Sequence, residues 1–146
     1  MKIEIKLDEN CSETRIIIIA EKMTDEVVSL MQRLTDETPQ GIVGFDGDEV
    51  RFLDTPDIVR IYSAAGKVFA VTGNKEYVLR LRLYEIEERL LGRGFVRISN
   101  SEIINIKKAE KFDLSTVGTI RVSLSNDDVC FVSRRFVTKI KKTLGI

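Results

Sequence analysis

The sequence predicts a mainly β, α+β fold: an antiparallel β domain with one internal helix, preceded by a small ββα appendage. Two observations carry this. From residue 42 onward, short runs rich in Val, Ile and Phe recur between turn-forming residues, and only one long segment breaks them with helical spacing. Before residue 42, two β-branched runs precede a single amphipathic stretch.

Residues 2–7 and 15–20 read as the two appendage strands. Ile3 and Ile5 alternate with charges, and Ile16 to Ile19 is β-branched throughout, with Glu9-Asn10-Cys11-Ser12 as the turn. Thr24 then serves as an N-cap, with Asp25 and Glu26 in the first turn of a helix. Val27, Leu30, Met31 and Leu34 line one face of it to about Glu37, and Pro39 and Gly41 stop it. Residues 42–46 and 49–53 flank a Gly47-Asp48 hairpin turn. Strands over 58–64, 67–72 and 77–79 follow, punctuated by Gly66 and Gly73-Asn74. Leu83, Ile86, Leu90 and Leu91 form the stripe of the internal helix, with Gly92 as its stop. Further strands span 95–99, 103–112, 119–124 and 129–133, and Phe136, Val137 and Ile140 suggest a short terminal helix. Two parts are therefore expected, an appendage over 1–41 and a β domain over 42–146.

Composition narrows the function. The chain holds no His, which removes Ser-His-Asp and Cys-His catalysis and His-ligated zinc. Its two cysteines, Cys11 and Cys130, form no C-x-x-C pair, so a zinc ribbon or redox motif is not expected, and free thiols are. No apolar run approaches the roughly 20 residues that span a bilayer, and the first residues lack a signal-peptide core, so a cytoplasmic protein without membrane insertion is expected.

Net charge is zero, but unevenly placed: residues 1–57 carry a net −8 and residues 58–146 a net +8. From Arg134 to the end there are five cations and no acid. Clustered cations on an apolar scaffold suit a phosphate-bearing partner, and equally suit an acidic protein face.

Short catalytic and ligand motifs fail on context. Arg93-Gly94-Phe95-Val96 lacks the rest of an RNA-recognition signature, and Asp46-Gly47-Asp48 lacks the remaining ligands of a calcium loop. Gly66-Lys67 has no Walker-type glycine run, and Glu87-Glu88 sits on an exposed helix face. No catalytic group, metal site or cofactor is expected, and no enzyme.

Four ordered blocks do carry a resemblance: Asp57-Ile58-Val59-Arg60-Ile61-Tyr62-Ser63; Leu83-Tyr84-Glu85-Ile86-Glu87-Glu88-Arg89-Leu90; Phe95-Val96-Arg97-Ile98-Ser99-Asn100-Ser101-Glu102-Ile103-Ile104-Asn105; and Val132-Ser133-Arg134-Arg135-Phe136 with Lys139-Ile140-Lys141-Lys142. In these, residues 58–146 resemble the LytTR family of DNA-binding domains. The resemblance implies an elongated, mainly antiparallel β fold that reads double-stranded DNA with side chains from loops, as a transcriptional regulator and as pairs on repeated sites. Carried onto this sequence, the base-contacting positions are Lys67, Asn100 and Arg135. The family can carry His where this chain has Lys67.

Chemistry agrees with those roles. Asn pairs bidentately with adenine and Arg with guanine in the major groove. Arg97, Ser99, Ser101, Lys107, Arg134, Lys139, Lys141 and Lys142 are candidate phosphate contacts. Asn105 reads as a buried or turn-forming residue. If Arg134 and Arg135 lay on a strand they would point oppositely, and Arg135 is then the one for the base.

Many family members carry a receiver domain before the DNA-binding domain, whereas 44 residues precede Phe45 here. Aspartyl phosphorylation within this chain is therefore not expected. The appendage is expected to bury its Val27, Leu30, Met31 and Leu34 stripe against the β domain or in a homodimer. A small regulatory membrane protein is a conceivable partner by the same resemblance. The rival readings are a protein-interaction module that inhibits a related regulator, and an RNA-binding module.

Overall fold

The computed structural model describes residues 1–37 and 41–146, with no side chains described at 32 and 35–37. The chain falls into two compact units, Met1–Thr38 and Pro39–Ile146.

In the first unit, α1 spans Asp25–Glu37. Thr24 caps it as expected: its Oγ1 accepts from the Val27 N–H at 3.3 Å and its carbonyl accepts from Val28 at 3.0 Å. The Pro39 stop lies outside the described residues. The two appendage strands are a correction: residues 2–7 and 15–20 hold no strand, and their apolar side chains are exposed. The turn between them does form, with Asn10 N–H donating to Asp8 Oδ1 at 2.9 Å and Cys11 N–H to the Asp8 carbonyl at 3.1 Å. Alternation makes a segment extended, but a strand also needs a neighbour for its backbone groups. These two segments do not supply one to each other.

The second unit is mainly antiparallel β in two open sheets. The larger has seven strands in the order β2-β1-β5-β4-β3-β7-β6. They are β1 (Ile42–Asp46), β2 (Glu49–Leu53), β3 (Arg60–Ala64), β4 (Lys67–Thr72), β5 (Lys75–Leu79), β6 (Phe95–Ser99) and β7 (Glu102–Asn105). The smaller has β8 (Ala109–Asp113), β9 (Ile120–Leu124) and β10 (Val129–Val132) in the order β10-β9-β8. Helix α2 (Leu83–Arg89) lies between β5 and β6, and α3 (Val137–Leu144) ends the chain.

Two cores share the large sheet. Ile61, Ala70, Leu79 and Ile103 pack with Leu83 and Ile86 of α2 and with Leu90 just after it in one. Val96, Ile98 and Ile104 pack with Val122, Val132 and Ile140 of α3 in the other. Ile103 and Ile104 are sequence neighbours in different cores because successive strand residues face opposite sides of a sheet.

The single strand expected over 103–112 is instead β7, a 3-10 turn over Ile106–Lys108, and β8. Asn105 causes the break. It is 1% exposed; its Nδ2 donates to the Ile58 carbonyl at 2.9 Å and its Oδ1 accepts from Lys107 N–H at 3.1 Å. The side chain thus caps the turn that carries the chain from one sheet into the other. Similarly, β3 begins at Arg60 rather than residue 58, after a 3-10 turn over Thr55–Asp57.

A polar cluster fastens the sheets at the β9–β10 turn. Arg60 Nη1 donates to Glu102 Oε2 at 2.7 Å and its Nε to Asp128 Oδ2 at 3.0 Å. Asn126 Nδ2 donates to Asp128 Oδ2 at 2.9 Å and to the Gly73 carbonyl at 2.8 Å. Burial works to raise the Asp128 pKa, but the hydrogen bonds from Arg60 and Asn126 outweigh it and hold the carboxyl below its ordinary value. Beside it, burial above all, with Glu102 adding, pushes the Cys130 thiol up to about 12.

Candidate nucleic-acid interface

Three exposed tips meet at one end of this frame. The first is the β3–β4 turn. Ala64 pairs with Lys67 across a two-residue loop in which Ala65 and Gly66 both have positive φ, 51° and 75°. Positive φ at both central residues is the type I′ geometry that suits the twist of a hairpin. Lys67 opens β4 and is exposed.

The second is the β6–β7 turn, Ser99-Asn100-Ser101. Asn100 is exposed at its apex. Ser99 Oγ accepts from Ser101 N–H at 3.2 Å. Beneath it, Arg97 Nε donates to the Ser99 carbonyl at 2.7 Å and Nη2 to the Asn100 carbonyl at 2.6 Å, while Nη1 lies 3.7 Å from Glu87 on α2. Only 16% of the Arg97 side chain is exposed. Arg97, expected as a phosphate contact, directs its Nε and Nη2 donors to the Asn100 turn. Sequence gives a cation three residues before the turn apex, but not the direction in which its guanidinium folds.

The third tip is the junction after β10. Arg134–Phe136 forms a 3-10 turn leading into α3, not a strand. At three residues per turn, Arg134 and Arg135 project roughly 120° apart rather than oppositely. Arg134 lies against Gly118, where an added Cβ would meet its guanidinium at 3.3 Å. Arg135 is exposed, with its guanidinium 5.2 Å from the Phe136 ring centroid.

Main-chain hydrogen bonds join the three tips. Ser63 N–H donates to the Ser101 carbonyl at 2.8 Å, tying the first to the second. Ser133 N–H donates to the Ile98 carbonyl at 2.9 Å, tying the third to the second. Lys67, Asn100, Arg134 and Arg135 are therefore brought to one end, together with Ser99 and Ser101. Lys139, Lys141 and Lys142 follow on the exposed side of α3, whose Ile140 is buried. Lys107 is not brought there: it follows the far end of β7, with its side chain along Gly94.

A family model described as LytTr DNA-binding domain matches residues 48–145. The chain belongs to the LytTR family. The three tips, the smaller sheet and every strand of the larger one except β1 lie within the matched residues. The solved LytTr DNA-binding domain of a response regulator from Bacillus cereus has the same fold, with a TM-score of 0.71 over 75% of this chain and 100% of that one, at 18% identity. Proteins named HTH-type transcriptional regulators from Staphylococcus aureus strains MRSA252 and MW2 are 35% and 34% identical over 147 residues, covering 100% of this chain and 99% of theirs. The match to those relatives extends through the first unit. Among the described residues of this chain, α2 and α3 are separated by five strands, so no helix-turn-helix joins them. Among the described residues, no helix is long and apolar enough to cross a membrane.

Proposed function

We propose that this protein is a cytoplasmic transcriptional regulator that binds specific double-stranded DNA through the three tips. The observation that carries the reading is their convergence: an Asn, an Arg and a Lys, each exposed, sit on turns tied together by main-chain hydrogen bonds. Asn100 would pair with adenine and Arg135 with guanine, and Lys67 would reach an acceptor edge of a neighbouring base. Ser99, Ser101, Arg134, Lys139, Lys141 and Lys142 would hold phosphates and fix the register. Arg97 supports Asn100 from behind. Lys107 stands apart from this surface. The protein acts as a homodimer, so each dimer offers two such surfaces to a repeated site.

The test is selection of bound fragments from random duplex DNA. A repeated consensus is the expected result, and weak binding blind to sequence would overturn the reading. On the selected site, Asn100→Ala and Arg135→Ala should each cost about 1–3 kcal/mol and relax one base position. Lys141→Ala should weaken all sequences alike and lower the salt dependence by about one phosphate.

A further inference from the structure

We propose that the first unit is the dimerisation element, and that residues 2–8 pair as an antiparallel strand with the same residues of a second copy, about a two-fold axis through Ile5. This deepens the homodimer of the reading above and rests on it only for the biological use of the dimer. The segment is uncovered and has no strand partner among the described residues, with Ile3, Ile5 and Leu7 each more than 80% exposed. Lys2 Nζ lies 2.9 Å from Glu4 Oε1, so these two side chains share one side, as strand alternation requires of them.

The sequence is complementary to its own reverse in one register. With Ile5 opposite Ile5, Ile3 faces Leu7 of the other copy, and that side of the ribbon is apolar throughout. On the other side Lys2 faces Asp8 and Glu4 faces Lys6, so every charge meets its opposite, and the two-fold axis makes each pair twice. Shifting by two residues sets Glu4 against Glu4 or Lys6 against Lys6, and shifting by one sets charges against isoleucines. The register is therefore specified.

Pairing within the chain does not achieve this. In the antiparallel register that the Asp8–Cys11 turn would set, Glu4 faces Arg15 and Lys6 faces Glu13, but Lys2 faces Ile17, Ile5 faces Thr14 and Leu7 faces Ser12, so neither side of that ribbon is matched throughout. That run is also self-complementary about Ile18, but its uniform isoleucines leave its register loose. A two-stranded ribbon alone is marginal. Val27, Leu30 and Leu34, on one side of α1 in each copy, offer the apolar layer that would cover it.

Analytical ultracentrifugation of the full chain supplies the test. Wild-type protein should be dimeric. Glu4→Lys and Lys6→Glu should each weaken dimerisation about tenfold, since each turns two attractions into repulsions. Their equimolar mixture should form heterodimers at wild-type affinity, and the double variant Glu4→Lys/Lys6→Glu should regain the wild-type homodimer affinity. In a Cys11→Ser background, Ile5→Cys should oxidise to a covalent dimer while Lys6→Cys should not, because only residue 5 faces itself. A monomeric wild type, a mixture no tighter than its parts, or cross-linking through Ile18→Cys instead of Ile5→Cys would overturn the proposal. DNA selection on the same preparations separates the two readings. A monomer that still selects a site sinks only the strand pairing, and a dimer that selects none sinks only the DNA reading.

Discussion

Replacing Arg97 with Met separates two roles that sequence alone does not distinguish. Met keeps an apolar stem beside the core and removes the guanidinium. Two charge-assisted hydrogen bonds are lost, to the Ser99 and Asn100 carbonyls at 2.7 and 2.6 Å. Fully buried, each such bond would be worth about 1.5–3 kcal/mol. These carbonyls sit at an exposed turn and can rehydrate, so the total cost to folding should be about 2 kcal/mol. The cost to DNA binding has a ceiling. If Arg97 acts by holding the turn, it forfeits at most what that turn contributes, about 1–3 kcal/mol on the selected site for an Asn-adenine pair. Adding Asn100→Ala to Arg97→Met should then cost less than the sum of the two, a non-additivity above about 0.5 kcal/mol. Fluorescence anisotropy across a salt series, beside urea unfolding, measures both. The salt slope should stay at its wild-type value. A slope shallower by about one phosphate, an equal loss on random DNA and additivity with Asn100→Ala would together restore Arg97 as a phosphate contact and refute the turn-holding role.

Further outcomes follow from the frame. Asn105→Ala should lower stability by about 2–4 kcal/mol in urea titration, because it strands the buried Ile58 carbonyl and the Lys107 N–H without their partners. Thiol titration of the native protein should find Cys11 reactive and Cys130 silent until denaturant is added, since Cys11 is exposed and Cys130 is buried with its thiol pushed up to about 12. Asp128 is held below its ordinary value of 3.8, so its contribution to stability is present above that pH and is lost as pH falls through the lower folded value. Asp128→Asn should therefore flatten the fall in stability below about pH 4, read by thermal melts across a pH series.

Much of the second unit was legible because periodicity and turn chemistry agree there. The β1–β2 and β3–β4 hairpins announce themselves through Gly47-Asp48 and Gly66, and α2 through Leu83, Ile86 and Leu90. The break at Asn105 was not legible as a break: a polar residue within an apolar run looks like ordinary strand alternation until its buried partners are known. The strands of the first unit failed for a different reason. Alternation at Ile3 and Ile5 specifies an extended backbone and a face, but not where the neighbouring strand comes from. At the candidate interface, Asn100 and Arg135 lie inside the ordered blocks of sequence, and Lys67 lies four residues after the first of them. The inward fold of Arg97, the 3-10 turn under Arg134 and Arg135, and the separation of Lys107 all depend on contacts between residues that the chain order keeps apart.

The three tips are joined through Ser63 N–H to the Ser101 carbonyl and Ser133 N–H to the Ile98 carbonyl, not through the side chains at their apices. Any residue except proline supplies the same amide at Ser63 and Ser133. The apex positions are thus released from structural duty. Exchanging Lys67, Asn100 or Arg135 changes what the surface offers a partner and leaves the scaffold's geometry in place. On the proposed reading, such a protein acquires a new target one residue at a time, without passing through an unfolded intermediate sequence.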